Sequence, residues 1–490
     1  MNETASQFIR EPELEFGGGH RHLDIRFGLR EFGPLDSGQG GPSEIRLGVV
    51  GTTETVSGLQ SWLDKIEQGA PAKKSRLVNL YVAFPGYGDG SNLSAPLVLA
   101  HKQEIGKRKI TKLFKEKDND KAVYQAVELF YDEIAHISEN HGVDVIICAP
   151  PTDIWDLMDR GAGGDEGGDD KERGPGSAGV DFHDALKAKA LGLRCPIQFV
   201  WPHTYTGKAV ERPRREGRGG AVKRDIQDEA SRAWNLYTAL YYKANGVPWR
   251  LVRDASDYSS CFVGVSFYFA LDGSTVQTSV AQVFNERGEG IILNGGPAKK
   301  SKDGDRQIHL DKEGARSLLA RSLKSFRAEH RRTPARVVLH KVSPFSDDEE
   351  EGFWEACEDE NIEILELVHV RERFGAKLFR TEYHAPLRGT FLSLDRHYNI
   401  LYTRGSIEFY QTYPGLYVPT AVGFDVHGDG DPISLAQEIL SLTKMSWNNT
   451  QIDNLKPVTI KAARKVGALL KYAELGSGEG SRPVSYRYFM

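Results

Sequence analysis

The sequence predicts a two-lobed α/β protein. Apolar runs short enough for strands alternate with amphipathic helical segments from residue 44 to about 201. A second rhythm of antiparallel strands begins near residue 261. Between them, residues 203–224 hold seven Lys/Arg against two Glu. The 490 residues suggest roughly three domains of about 150 residues, or two larger ones. Hydrophobic residues are 39% and charged residues 27%, which excludes disorder, collagen or coiled coil for the bulk of the chain. The net charge of -5 argues against coating nucleic acid with the whole surface and leaves room for a local basic groove.

The elements follow in order. Residues 1–43 are Gly-rich and irregular, apart from the alternating segment Leu23 to Leu29. Residues 44–50 read as a strand. Residues 54–68 read as a helix with Val56, Leu59, Leu63 and Ile66 on one face. Strands are expected at 77–83, 143–149 and 195–201, and a helix at 121–140. Apolar on both faces and alternating with helices, these runs predict a parallel sheet, the Rossmann-like pattern. Residues 161–179 are Gly-rich, acidic and aromatic-free, a surface loop.

In the second lobe, 261–271 and 275–284 face each other across Asp272-Gly273-Ser274, a hairpin signal. A strand at 290–294, a helix at 312–329, a strand at 335–340, a helix from Ser346 and a strand at 362–370 come next. Three antiparallel strands, then helix, strand, helix, strand, is the order of an RNase H-like domain. Hairpins are expected over 390–418, and helices at 433–445 and 458–473. These readings divide the chain into an N-terminal segment (1–43), a first lobe (44–255) and a second lobe (256–490).

No apolar run reaches the roughly 20 residues of a membrane helix. Met1 to Leu14 is polar and lacks the apolar core of a signal peptide. Four widely spaced Cys form no CxxC, so a cytoplasmic protein with reduced, buried thiols is expected.

The basic stretch 203–224 follows a strand end and precedes a helix beginning near Gln227. In open α/β sheets ligands bind outside the carboxyl ends of strands, and helix N-termini favour anions, so a phosphate cradle fits here. Charge alone fits a solvated loop as well. FGGGH (16–20) precedes no clean helix and is not a dinucleotide loop. The acidic run SDDEEE (346–351) reads as a helix start, with Ser346 and Glu349 as a capping box.

QDEASRAWNLYTALYYKANGVPWRL (227–251) resembles the guide-phosphate segment of prokaryotic Argonaute MID domains, and the second lobe resembles a PIWI domain. TKMSWNNTQIDNLKPVTIKAARKVG (443–467), the closing RYFM (487–490) and EPELEFGGGHRHLDIRFGLREFGPLD (11–36) extend the resemblance over nearly the whole chain. No segment resembles the N or PAZ domains, so the chain is similar to short prokaryotic Argonautes, MID plus PIWI only. The resemblance implies binding of a short guide RNA by its 5′ phosphate and pairing with single-stranded target DNA. Lys243 matches a lysine that contacts the phosphate, and Lys208 the lysine after the MID strand. Asn235 lies two helical turns before Lys243. Gln227 resembles the family's phosphate-contacting glutamine in type. His203 stands where an aromatic residue stacks on the first base, with Tyr205 an equal candidate. The Met490 carboxylate is in the position that helps hold Mg²⁺ against the guide phosphates. A dianionic 5′ phosphate suits such donors because charge-assisted bonds are the strong ones. Lysine also has an ordinary use at a helix C-terminus before Asn245-Gly246. Lys461, Arg464 and Lys465 share a helix face that fits guide phosphates or solvent equally.

Slicing needs carboxylates around two Mg²⁺ ions. By the resemblance, the first Asp position is Ser266, in Val263-Gly264-Val265-Ser266, and the second is Val342, in Lys341-Val342-Ser343. The positions after Pro457 offer Lys461, Ala462 and Ala463. The resemblance therefore implies a non-cleaving PIWI lobe. Its effector would be in trans, on an APAZ-containing partner carrying an NADase or nuclease, in a heterodimer acting against plasmids or phage. The alternative is an active RNase H-like nuclease with displaced ligands drawn from Asp272, Asp395, Asp425 and Asp453.

Overall fold

The computed structural model describes residues 5–161, 179–209, 211–212, 222–223, 226–252, 259–271, 273, 275–284, 290–300, 307–371, 377–379, 385–395, 397–415, 418–472 and 484–490. The acidic segment 162–178, most of the basic stretch 210–225, and Asp272 lie outside them. The chain forms two compact units. One comprises residues 1–35, 75–80 and 247–486, the other 36–74, 81–246 and 487–490. No helix among the described residues is long and apolar enough to cross a membrane. All four cysteines are buried free thiols.

The chain opens with β1 (Ala5–Phe8), β2 (Leu14–Glu15), β3 (Arg21–His22) and α1 (Ile25–Phe32). The sequence reading left Leu23 to Leu29 outside any helix. Asp24 caps α1 by accepting from Phe27 N at 2.9 Å, and Ile25 and Leu29 bury one turn apart. β2 pairs with β3 and with β10 (Arg250–Leu251), which ties residues 1–35 into the unit that resumes at Val247. The compact units thus divide at 35/36 and 246/247, where the sequence reading placed 43/44 and 255/256.

The second unit carries β4 (Ile45–Gly51), α2 (Thr53–Glu67), β5 (Leu97–Glu104), α3 (Lys107–Leu113), α4 (Asn119–Asn140), β6 (Val145–Ala149), α5 (Asp153–Gly161), α6 (Phe182–Lys189), β7 (Ile197–Phe199) and α7 (Pro202–Thr206). The short β8 (Glu211–Arg212) and β9 (Val222–Lys223) pair with each other before α8 (Glu229–Lys243). β5, β4, β6 and β7 form one parallel sheet in that order. β6 is buried throughout and β4 at six of seven positions, as central strands between helix layers must be. Thr55, in the first turn of α2, donates to Ala149 O at 2.7 Å and locks that helix to the end of β6.

Residues 77–83 are not a strand. Leu80 N bonds Leu77 O in a turn, Val78 is 69% exposed, and Asn79 Nδ2 donates to Phe409 O at 2.8 Å. The edge position belongs to β5, which the sequence reading missed. Its residues alternate half-buried and exposed and end in His-Lys-Gln-Glu, which dilutes the apolar pattern of a strand.

The larger unit continues with β11 (Ser260–Phe269), β12 (Val276–Phe284), β13 (Gly290–Lys300), β14 (Ile308–His309), α9 (Lys312–His330), β15 (Arg336–Lys341), α10 (Asp347–Asp359) and β16 (Ile364–Arg371). Then come β17 (Thr390–Asp395), β18 (Tyr398–Leu401), β19 (Val422–His427), α11 (Pro432–Leu442), α12 (Val458–Leu470) and β20 (Val484–Ser485). The sheet runs β1-β17-β18-β19-β16-β15-β11-β12-β13-β14. β11, β15 and β16 are parallel, while β11, β12 and β13 are antiparallel neighbours. That is the RNase H-like order expected from the sequence. Of the hairpins expected over 390–418, one forms among the described residues, β17–β18.

One face of this sheet packs on α9 and α10 through Val263, Val265, Leu318, Leu339 and Phe353. α12 lies on the other face, and Gly264 lets it come close. A Cβ at Gly264 would stand 2.2 Å from Thr459 O. The chain leading into α12 is held by a buried charge cluster. Glu11 accepts from Arg388 Nε at 2.8 Å and pairs with Lys444 at 3.0 Å, and Lys444 also donates to Pro12 O at 2.5 Å.

Candidate nucleic-acid interface

β4, β5, β6 and β7 are parallel, so their carboxyl ends all lie at one end of the smaller sheet. α7 starts there, with Pro202 in its first turn. Gly207 ends it in the left-handed conformation, φ 65°, and donates to His203 O at 3.1 Å. A Cβ at Gly207 would lie 3.2 Å from Arg232 Nη2, so the Gly207–Lys208 turn rests against a guanidinium from α8. Lys208 is exposed.

The two candidates for base stacking separate. His203 stacks on Trp155 at 5.3 Å, and Trp155 stacks on Trp201 at 4.5 Å, so its ring is engaged in an aromatic column. Tyr205 packs over Gly58 of α2, where a Cβ would come within 2.7 Å of its ring. Tyr205 also lines an open cleft of about 440 Å³ with Trp62, Lys65, Glu229 and Arg232. Burial pushes the Tyr205 hydroxyl up to about 12.

α8 begins at Asp228, which accepts from Ser231 N at 3.1 Å. Asn235 Nδ2 donates to Gln227 Oε1 at 3.1 Å, and Arg232 Nη1 to Gln227 O at 2.8 Å. Gln227, Arg232 and Asn235 are thus one polar group at the start of the helix. Lys243 is its last residue and fully buried. Every α8 residue from Leu236 onward is buried, because Tyr237 and Tyr241 pack in a stacked column with Tyr87. Fifteen helical residues span about 21 Å at 1.5 Å per residue. The structure therefore brings Gln227 to Asn235 but keeps Gln227 and Lys243 at opposite ends of α8, and one phosphate cannot bridge that length.

Sequence reasoning missed Lys187. It is buried on α6, and its ammonium donates to the main-chain oxygen of Met490, itself buried beside Phe489. The only signal was a lysine between two residues of apolar type in Leu186-Lys187-Ala188. The resemblance places Mg²⁺ at Met490, but the oxygen there already faces an ammonium, and a divalent ion at the same oxygen would be repelled by it. The residues present do not fit the ion at that oxygen. Among the described residues, one group of three possible metal ligands lies close together, Asp181, His183 and Asp184. Asp181 caps α6 through Asp184 N at 3.0 Å, and His183 Nδ1 bonds Asp184 Oδ1 at 2.8 Å, so ordinary contacts account for them.

In the larger unit, Val265 of β11 pairs with Lys341, the last residue of β15, so Ser266 continues along β11 while Val342 is the first residue past β15. Ser266 is buried, and Ser279 Oγ donates to its carbonyl at 3.2 Å and to Ala463 O of α12 at 2.8 Å. His340 is buried with Nδ1 on Thr459 Oγ1 at 2.7 Å; burial, and then Arg336, lower it to about 3, so its ring is neutral. Lys341 is buried against Glu349 at 2.5 Å and Pro344 O at 2.8 Å. Burial outweighs Glu349 and lowers Lys341 to about 8. Glu349 also forms the capping box with Ser346, as the sequence reading of 346–351 expects.

No protein-family model matches the sequence, and no curated protein is similar enough to match it. Solved structures do match. The Argonaute of Clostridium butyricum, bound to a guide DNA and a 19-mer target DNA, gives a TM-score of 0.63 at 14% identity, covering 97% of this chain and 54% of that one. The Argonaute of A. aeolicus gives 0.58 at 13% identity, covering 99% and 55%. Aa-Ago with externally bound siRNA gives 0.58 at 13%, covering 99% and 56%. The fold is Argonaute-like.

The chain spans about half the length of these Argonautes. In this Argonaute-like fold, Lys461, Arg464 and Lys465 lie half-buried on α12, while Ala462, Ala463, Val466 and Gly467 are buried. Lys461 Nζ reaches Asn454 Oδ1 at 3.4 Å. The carboxylates of the alternative reading are dispersed. Asp395 accepts from His397 N at 2.8 Å at an exposed strand end. Asp425 bonds His369 at 3.0 Å and Arg371 at 2.5 Å. Asp453 sits before α12, where burial pushes it up to about 6. None of these three belongs to a group of three close ligands among the described residues.

Proposed function

We propose that this protein is the guide-binding subunit of a short-Argonaute system. It binds the 5′ phosphate of a short guide RNA, pairs the guide with single-stranded target DNA, and does not cut. Target pairing activates an APAZ-containing effector partner, which carries the NADase or nuclease activity in defence against plasmids or phage. One observation supports the reading above the others: in an Argonaute-like fold, Ser266 on β11 and Val342 just past β15 follow the paired Val265 and Lys341, where the resemblance expects carboxylates. Neither side chain holds Mg²⁺, which needs converging oxygen ligands.

In this reading Lys243 carries the phosphate contact. A buried ammonium is poorly solvated, so a dianionic phosphate gains more from it than from an exposed one. Lys208, at the Gln227 end of α8, contacts the guide backbone beyond that phosphate. Lys187 supplies the positive charge at Met490 that the resemblance assigned to Mg²⁺. Lys461, Arg464 and Lys465 contact the nucleic-acid backbone.

The test is to purify the protein with its partner and extract the bound nucleic acid. The strands are end-labelled with and without prior phosphatase, digested with RNase or DNase, and sequenced. Short, 5′-phosphorylated, RNase-sensitive strands of narrow length support the reading. Random bulk nucleic acid rejects guide binding. A cut opposite the middle of the guide in Mn²⁺ rejects the non-slicing half and favours displaced ligands.

A further inference from the structure

α3 and the turn after it form an exposed basic surface, with six Lys/Arg against one Glu over residues 107–117. Lys107, Arg108, Lys112, Lys115 and Lys117 are exposed, and none has an ion-pair partner among the described residues. Lys109 alone is paired, with Glu133 at 3.3 Å. Half-buried cations on α9 are matched by contrast: Lys312 pairs with Glu351, and Arg316 with Asp359 at 2.8 Å. A chain with net charge -5 that leaves five cations unmatched within eleven residues concentrates its positive field there.

The fold also says where this patch lies. α3 starts three residues after β5 ends, and α7 three residues after β7 ends. Both leave the carboxyl end of the parallel sheet, whose order is β5-β4-β6-β7. Three strand spacings separate them, about 14 Å. That is about four nucleotides at the roughly 3.4 Å per residue of a stacked strand.

We propose that α3 is a second nucleic-acid contact, binding the phosphodiester backbone of a single strand that passes the α7–α8 region. The patch fits a polyanion and not a protein surface. The two apolar residues of α3, Ile110 and Leu113, are buried in the fold. It therefore offers no apolar anchor of the kind that dominates protein interfaces or inserts into membranes. Arg108 and Lys112 are one helical turn apart, with Lys115 just beyond, a flexible row suited to successive phosphates.

The inference goes beyond the proposed guide binding, and its test separates the two. Arg108→Glu, Lys112→Glu and Lys115→Glu are combined in the full-length protein with its partner. All three side chains are exposed, so the melting temperature should not change. Affinity for single-stranded nucleic acid is measured across about 50 to 200 mM salt, with 5′-phosphate and 5′-hydroxyl ends. Expected are a loss of tenfold or more at the lowest salt and a salt slope smaller by about 2, three contacts at roughly 0.7 each. The ratio of affinities for the two ends should stay as in the unmodified protein. An unchanged slope overturns the proposal. So does a variant that loses binding to poly-glutamate or anionic vesicles while keeping nucleic acid. If the unmodified protein shows no 5′-phosphate preference, guide binding fails, and the slope comparison still decides the role of α3.

Discussion

The length of α8 makes a prediction that separates the structure from the family resemblance. The resemblance groups Gln227 and Lys243 on one phosphate. The structure puts them at opposite ends of a helix about 21 Å long, with Gln227 bonded to Asn235. Lys243 is fully buried and Lys208 exposed. A hydrogen bond to a charged group contributes about 1.5–3 kcal/mol, and the buried partner should lie at the upper end. Lys243→Met keeps the apolar stem and removes the charge. It should lower the preference for 5′-phosphorylated over 5′-hydroxyl guides by about 10- to 100-fold, 1.4 kcal/mol being tenfold. Lys208→Ala, at the Gln227 end, should lower guide affinity modestly and leave that preference unchanged, since water screens its charge. Gln227→Ala should leave it unchanged, although it weakens the Asn235 contact. The assay is competition between the two guide forms at fixed salt, with melting curves confirming that each variant folds. A large loss for Gln227→Ala with none for Lys243→Met would refute the placement of the phosphate at the buried end of α8.

Three further outcomes follow from packing and burial. Gly264→Ala should destabilise the larger unit by about 1–3 kcal/mol, because the new methyl meets Thr459 O at 2.2 Å and α12 must shift; urea unfolding reads this directly. His340 is held near 3 in the folded protein against 6.5 when unfolded, so its contribution is present above 6.5 and is lost as the pH falls toward 3. Comparing His340→Gln with the unmodified protein at pH 7 and pH 4 should show a smaller acid loss in the variant, and equal losses would count against a neutral buried ring. Ser279→Ala should cost about 1–3 kcal/mol, since it leaves Ala463 O without that donor in a buried setting; a neutral result in the same unfolding assay would mean another donor reaches that carbonyl.

Legibility in the sequence followed burial. β4, β6 and the β11–β12 pair are buried or evenly patterned, and their residues announce them. The Ser346–Glu349 box is legible because capping is local chemistry. β5 was missed because an edge strand half in water does not look apolar, and 77–83 misled because its apolar residues sit in a turn closed by Leu80 N on Leu77 O. The site divides in the same way. Lys208 follows a strand end, where a ligand-binding loop is expected, and sequence position suffices to flag it. Lys187 depends on Met490, 303 residues away, and nothing local marks that partnership. The separation of Gln227 from Lys243 needed the helix ends, which Asp228 and Asn245-Gly246 set, and resemblance by residue type overlooks that geometry.

The structure also bears on whether cutting could be restored. Ser266 lies on β11 and Val342 one residue past β15, each next after the paired Val265 and Lys341, so Ser266→Asp with Val342→Asp would place two carboxylates near one level of the sheet. A hard cation needs more oxygens than two side chains give. The helix facing that level is α12, whose nearby residues include Thr459, Ala462 and Ala463, with the Thr459 hydroxyl engaged by His340 and Ala463 O by Ser279. Lys341, one residue before Val342, is tied to Glu349 of α10 and supplies no ligand. Two carboxylates so close also raise each other's pKa, which adds to the cost of holding both ionised. The double variant should therefore fold less stably and still leave a guide-matched target uncut in Mn²⁺. Cleavage by that variant, at the position opposite the middle of the guide, would show that a third ligand stands ready in this fold and that the two substitutions alone account for the missing activity.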